Sequence, residues 1–172
     1  MPKIILTGYM GAGKTTIGNL IAQKLDIPAS DLDTVIEQRT DLPITDIFKQ
    51  QGEIGFRRIE ANVLRELLAD PNPIVLSLGG GTSCYAENHK LLQDPAVLSV
   101  YLKASIPTLY NRLVSNKKDR PLLDNIADEE LSEFIAKHLF ERSYYYAQAQ
   151  HTIAVDGLTP EQIAERIIAL LA

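Results

Sequence analysis

Strands and helices alternate along the whole chain, and the fold this predicts is a three-layer α/β domain around a five-stranded, mainly parallel sheet. One observation behind it is the kind of strand. Lys3–Thr7 contains the run Ile4-Ile5-Leu6, and Ile74–Leu78 reads IVLSL, short stretches of continuous hydrophobicity rather than alternation. Strands covered by helices on both faces read this way. The other is the absence of an internal repeat, or of a linker suited to a domain boundary, in a length of 172 residues. Such a chain can build one proper core without disulfides or metal, so a single domain over residues 1–172 is expected.

Taken in order, Lys3–Thr7 is the first strand and opens into Gly8. Lys14–Leu25 carries Ile17, Leu20, Ile21 and Leu25 at helical spacing. Ile27–Leu32 is a weaker second strand ending among acids. Asp33–Arg39 and Ile44–Gln50 are short helical pieces separated by Pro43. Ile54, Ile59, Val63, Leu67 and Leu68 trace one face of a further helix, which Pro71-Asn72-Pro73 stops. Ile74–Leu78 is the third strand and runs directly into Gly79-Gly80-Gly81. Val97–Leu102 is the fourth. Pro107–Val114 is a short helix, followed by the polar stretch SNKKDR, and Glu129–Gln148 is a long one. His151–Val155 is the last strand. Pro160–Leu171 closes the chain, with Thr159 placed as its N-cap, Pro160 in its first turn and Glu161 adding favourable charge there.

Composition narrows the function classes. Seventeen basic against 22 acidic residues leave a formal charge of -5. That argues against a nucleic-acid or anionic-membrane binder, whose footprint is basic. No stretch approaches the length of a membrane-spanning helix. The apolar run after Lys3 stops at Leu6 and meets glycines rather than a cleavage site, so no secretory signal is expected. The one cysteine, Cys84, excludes an intrachain disulfide and fits a reducing compartment, and the expected location is cytoplasmic. His89, His138 and His151 are far apart and in no metal-ligand spacing; they read as structural or surface groups. No base stands beside Cys84 in the sequence, so it reads as a small packing residue rather than a nucleophile.

Gly8-Tyr9-Met10-Gly11-Ala12-Gly13-Lys14-Thr15 matches G-x-x-x-x-G-K-[ST] in full, between a strand and an amphipathic helix. In such a phosphate loop, small residues let successive N–H groups turn inward around a phosphate, and the helix start adds donors. Gly11, Ala12, Gly13, Lys14, Thr15 and Thr16 are therefore the nucleotide-binding candidates. Lys14 can reach the β/γ-phosphates and the Thr15 hydroxyl can ligate Mg²⁺. ATP or GTP with Mg²⁺ follows. A switch GTPase would need a guanine-reading Asn-Lys-x-Asp loop, which the sequence lacks, and the chain is small for a motor. A compact kinase for a small molecule fits, and it needs an acceptor pocket and a closing lid.

Asp31 and Asp33 lie two apart where the second strand ends; if the strand persists that far, both point toward the mouth of the phosphate loop. One can serve the magnesium shell through water and the other can orient a substrate hydroxyl. Carboxylates that merely cap a helix are the alternative. Phe56-Arg57-Arg58-Ile59-Glu60 puts Arg57 and Glu60 on one helical face, where a carboxylate can preorganise a guanidinium to grip another carboxylate. Solvated helix charges would look similar. Gly79-Gly80-Gly81 lets backbone approach a ligand closely, or simply makes a turn.

The set GYMGAGKTT, SDLD, FRRIE, LGGG and DRPLL, in this order, resembles shikimate kinase over essentially the whole chain, from Ile4 to the final helix. The phosphate loop alone is shared very widely; its combination with FRRIE and LGGG is far more specific. The resemblance implies a nucleoside-monophosphate-kinase-like fold of the P-loop class, and transfer of the γ-phosphoryl group of ATP to the 3-hydroxyl of shikimate in aromatic amino-acid biosynthesis. It implies Asp33 at the ring hydroxyls, acting as base, and Asp31 in the outer magnesium shell. Arg57 would bind the shikimate carboxylate with Glu60 bracing it, Gly79, Gly80 and Gly81 would pack against the substrate, and Phe56 would wall the pocket. Arg120, in a lid of about residues 114–126, would close over the migrating phosphoryl group, and Arg112 would stack over adenine. A solvated helix arginine explains Arg112 almost as well. Arg142 resembles the second carboxylate-binding arginine. Here the pattern departs: Arg142-Ser143-Tyr144-Tyr145-Tyr146 has Tyr144 where the family usually has proline. That change is expected to alter the local helix rather than remove the contact. The Asp156–Pro160 turn loosely resembles the loop beside adenine. A monomer is expected. Another compact kinase, for gluconate or a nucleoside monophosphate, and a non-catalytic nucleotide-dependent regulator are the competing readings.

Overall fold

A computed structural model describes residues 1–172. Its five strands are β1 (Lys3–Thr7), β2 (Ala29–Asp31), β3 (Val75–Ser77), β4 (Val97–Lys103) and β5 (His151–Ala154). They lie in the order β2-β3-β1-β4-β5, and every pairing is parallel. β1 is central: Ile4 pairs with Val75 on one side and Leu98 on the other. Ile4, Ile5 and Leu6 are wholly buried, as a strand with helices on both faces requires. Six α-helices cover the sheet in a three-layer α/β/α arrangement: α1 (Lys14–Leu25), α2 (Leu32–Thr40), α3 (Ile44–Ala69), α4 (Ile106–Val114), α5 (Asp128–Tyr146) and α6 (Pro160–Ala169). One continuous hydrophobic core joins them. No helix is long and apolar enough to cross a membrane.

The packing that matters most for the site is that of α1. Gly18 faces the sheet so closely that a Cβ there would lie 3.0 Å from Ser77 Oγ. The same hydroxyl donates to the carbonyl of Lys14 at 3.0 Å, pinning the first turn of α1 to β3. α6 packs alongside α1 and begins with the expected cap: Thr159 accepts from Gln162 N–H while the Gln162 side chain takes Thr159 N–H.

Element boundaries differ from the sequence reading in informative places. β2 is shorter than Ile27–Leu32. The chain turns into α2 at Leu32, so Asp31 closes a strand and Asp33 belongs to a helix. The two helical pieces at 44–50 and 54–68 are both present but follow one another without a loop inside α3. Gly52, at φ 68° and ψ −176°, makes the break, a conformation that favours glycine. The stretches after the glycine triplet and around Arg120 contain 3₁₀ turns, at Thr82–Cys84, Asn88–Gln93, Lys117–Asp119 and Pro121–Leu123, that no periodicity announced.

Candidate active site

The site forms at the carboxyl ends of β1, β2 and β3, where the sheet's topology leaves a crevice. Gly13 caps α1 in the left-handed region, at φ 99°, and sends the chain from the loop into the helix. The first-turn amides of α1 have no carbonyl one turn back. In the turn before them only Ala12 donates, to Tyr9 O at 3.1 Å. The result is a concave run of free N–H groups with no acidic side chain in the helix's first turn. Lys14 Nζ donates to the carbonyls of Gly8 at 2.7 Å and Tyr9 at 3.0 Å. Burial, with the positive charge of Arg120 second, brings its pKa down to about 8.

Asp31 occupies the N-cap position of α2, yet its side chain makes no capping bond. Instead Oδ1 accepts from Thr15 Oγ1 at 2.9 Å, tying β2 to the phosphate loop. The capping alternative thus fails for Asp31. Asp33, in the first turn of α2, faces the same cavity although the strand does not reach it. Burial, then the negative charges of Glu60 and Asp31, hold its carboxyl above the usual carboxylate range.

The glycine triplet has a steric reason that a plain turn would not. A Cβ on Gly79 would stand 3.4 Å from Asp33 Oδ1, one on Gly80 3.3 Å from Arg142 Nη1, and one on Gly81 2.8 Å from Arg57 Nη2. Side chains from α2, α5 and α3 therefore stand against three successive glycines, most tightly at Gly80 and Gly81. Leu78 N–H makes the last ladder bond, to Leu6 O at 2.9 Å, and the next three amides donate to no protein acceptor. The Tyr146 hydroxyl donates to Gly80 O and fixes that peptide. Burial pushes the Tyr146 phenol well above its usual range, which keeps it a donor.

Arg57 is held on several sides. Nη1 donates to Glu60 Oε1 at 2.9 Å, the ring of Tyr85 lies 4.0 Å from its Cζ, and Phe56 lies at 5.1 Å. Glu60 is 1% exposed and accepts a second bond, from Thr82 Oγ1 at 2.8 Å. Phe56 itself is in the core, stacked on Phe48 at 4.5 Å, so it backs Arg57 more than it walls the cavity. Arg142 reaches Gly80 from α5. That helix continues unbroken through Tyr144, which is exposed, so the missing proline leaves the helix intact to Tyr146.

Phosphate loop, acids and glycines share a cavity of about 620 Å³. Arg120 and Arg112 line it as well. Arg120 sits between the 3₁₀ turns of residues 117–123, with its buried Nε unpartnered. Leu123 is fully buried and roots that segment in the core. Arg112 Nη1 donates to Gly11 O at 2.9 Å, and Leu158, Pro160 and Ile163 line the same cavity. Arg57 opens onto a second hollow beside Tyr85 and Glu53.

Several residues here were not singled out beforehand. Thr82, Tyr85, Tyr9 and Ser77 act through contacts made only when distant segments pack. Tyr9 OH, for example, lies 2.9 Å from His138 Nδ1, joining the phosphate loop to α5. Cys84 is half-buried and burial raises its thiol pKa, which agrees with its reading as a packing residue.

Fold and site together define a compact P-loop kinase that phosphorylates a small molecule. The family model described as Shikimate kinase matches residues 10–172. The shikimate kinase of Flavobacterium johnsoniae is 54% identical over 172 residues, 100% of each chain. A crystal structure of shikimate kinase from Bacteroides thetaiotaomicron superposes with a TM-score of 0.90 at 38% identity, covering 99% of this chain and 98% of that one. A shikimate kinase from Acinetobacter baumannii in complex with shikimate gives a TM-score of 0.87 at 34% identity, covering 99% and 93%. The chain belongs to the shikimate kinase family and is an ATP-dependent kinase.

Proposed function

We propose that the chain transfers the γ-phosphoryl group of ATP to the 3-hydroxyl of shikimate, giving shikimate 3-phosphate and ADP. The observation that carries this reading is the convergence of Asp33, Arg142 and Arg57 on Gly79-Gly80-Gly81, beside the phosphate loop. Two guanidiniums suit a carboxylate, and a buried carboxylate suits a hydroxyl. The γ-phosphate of ATP takes the Lys14 ammonium away from the Gly8 and Tyr9 carbonyls. Asp33 takes the proton of the 3-hydroxyl as its oxygen bonds to phosphorus, and the bond from phosphorus to the β,γ-bridging oxygen breaks, leaving ADP. Lys14 and Arg120 balance the charge on the migrating group, and residues 114–126 act as a lid that excludes water. Arg112 lies over adenine. Positioning and electrostatics do most of the work in such a transfer.

The donor set at the loop fits Mg²⁺. Thr15 and Asp31 bring two hard oxygens together, which suits an ion that takes its other ligands from phosphates and water. Thr15 would hold it directly and Asp31 through water, and when bound it neutralises phosphate charge. The reading also includes a monomer and a cytoplasmic location.

Coupled ADP release with ATP and Mg²⁺ tests the acceptor. Turnover is expected with shikimate and not with gluconate; turnover with gluconate alone, or with neither, sinks the assignment. A further expectation concerns the glycines. Gly81→Ala puts a methyl within 2.8 Å of Arg57 Nη2, so the guanidinium must move. The KM for shikimate should rise about tenfold, the equivalent of about 1.4 kcal/mol, with the KM for ATP little changed.

A further inference from the structure

Glu60 is a carboxylate with almost no access to water, and it has two protein donors: Arg57 on Oε1 and Thr82 on Oε2. Thr82 is fully buried, one residue past the glycine triplet, and its Oγ1 also lies 3.1 Å from where a Cβ on Gly79 would stand. Its own turn is fixed from both sides. Asn88, itself buried, donates Nδ2 to Thr82 O at 3.0 Å, and the neighbouring Ser83 hydroxyl is 2.8 Å from Thr7 Oγ1 on β1. The hydroxyl is thus held by rigid structure, and through Glu60 it reaches the one close hydrogen bond that orients the Arg57 guanidinium, which otherwise rests on the rings of Tyr85 and Phe56.

We infer that Thr82 is a positioning residue for acceptor binding: its hydroxyl orients the Glu60 carboxylate, and Glu60 in turn aims Arg57. A buried carboxylate held at one oxygen only can rotate, and the guanidinium it carries rotates with it. Held at both, it presents Oε1 in one direction, and Nη2 of Arg57 is left against Gly81, at the end of the glycine triplet. The hydroxyl also supplies the hydrogen bond that a second carboxylate oxygen needs once removed from water. This inference rests on the assignment of Arg57 to the substrate carboxylate.

The test compares Thr82→Val, Thr82→Ala and Thr82→Ser in steady-state kinetics with shikimate and ATP varied separately. Thr82→Val keeps the shape and loses the donor, so the KM for shikimate should rise about tenfold, with the KM for ATP within about twofold of wild type. Thr82→Ala should do the same and serves if the valine variant does not fold. Thr82→Ser restores the donor and should restore the KM. In an Arg57→Ala background Thr82→Val should add almost nothing to the shikimate KM, because the two act through one contact. An unchanged shikimate KM in the valine and alanine variants overturns the inference. So does an equal rise for ATP, a serine variant as impaired as valine, or full additivity with Arg57→Ala. If Arg57→Ala itself leaves the shikimate KM unmoved, the fault lies in the assignment of Arg57 rather than in the role of Thr82.

Discussion

Asp33→Asn should lower kcat about 10²–10³-fold while leaving ATP affinity within about twofold, the range expected when a positioned general base is lost. Asparagine has the size of aspartate and can still touch the hydroxyl, but it cannot take its proton. The nucleotide contacts proposed for the phosphate loop and Arg112 are untouched by the change, so nucleotide titration measures the second half of the expectation directly. The pH profile adds a sharper reading. Burial and the neighbouring charges of Glu60 and Asp31 raise the Asp33 pKa, while Arg57 lowers it. The protonated, inactive form therefore persists to a higher pH than for an ordinary carboxylate near about 4. In the wild type kcat/KM should fall on the acid side as pH drops through that raised value, and the limb should vanish in Asp33→Asn. A variant with near-normal turnover would remove Asp33 from the chemistry.

The two features most legible in the sequence are those that depend on local pattern. The phosphate loop is a contiguous string whose residue types follow from holding a phosphate on backbone amides, and the buried strands announce themselves by unbroken apolar runs. Arg57 and Glu60 are three apart on one helix, so their pairing needs no tertiary information. Asp31 and Asp33 show the opposite case. Both face the cavity, but not because a strand continues through them: one ends β2 and the other starts α2, and the site emerges from that turn. The triple glycine is visible in sequence, yet its reason is not. Asp33, Arg142 and Arg57 come from three helices up to 109 positions apart along the chain (142 − 33), and only the packed structure puts them against the missing side chains. Thr82 leaves no trace at all, since a lone threonine after glycines becomes a buried donor only when α3 closes over its turn. The 3₁₀ turns near Arg120 are equally silent, being too short to carry a period.

Arg57→Ala should raise the KM for shikimate about 30–150-fold, corresponding to about 2–3 kcal/mol for a lost charge-assisted carboxylate contact, and should spare the KM for ATP. It should also cost stability, for a reason on the other side of the guanidinium. Glu60 would remain buried with Thr82 as its one protein donor, and removing one partner of a buried ion pair costs about 3–5 kcal/mol when no water replaces it. Arg57 keeps some solvent contact, so the loss should fall at or below the lower end of that range. Thermal unfolding of the variant checks this half independently of substrate. Arg57→Lys separates the two contributions. A lysine ammonium retains the charge beside Glu60 and should recover much of the stability, but it lacks the planar fork and cannot stack on Tyr85 in the same way. Its shikimate KM should stay several-fold above wild type. The sign at Asp33 follows as well: with Arg57 gone, the positive charge that lowers its pKa is gone, and the acid limb of kcat/KM in Arg57→Ala should move to higher pH. A shift to lower pH, or a raised KM for ATP in step with that for shikimate, would contradict an arginine that grips the acceptor and is aimed by Glu60.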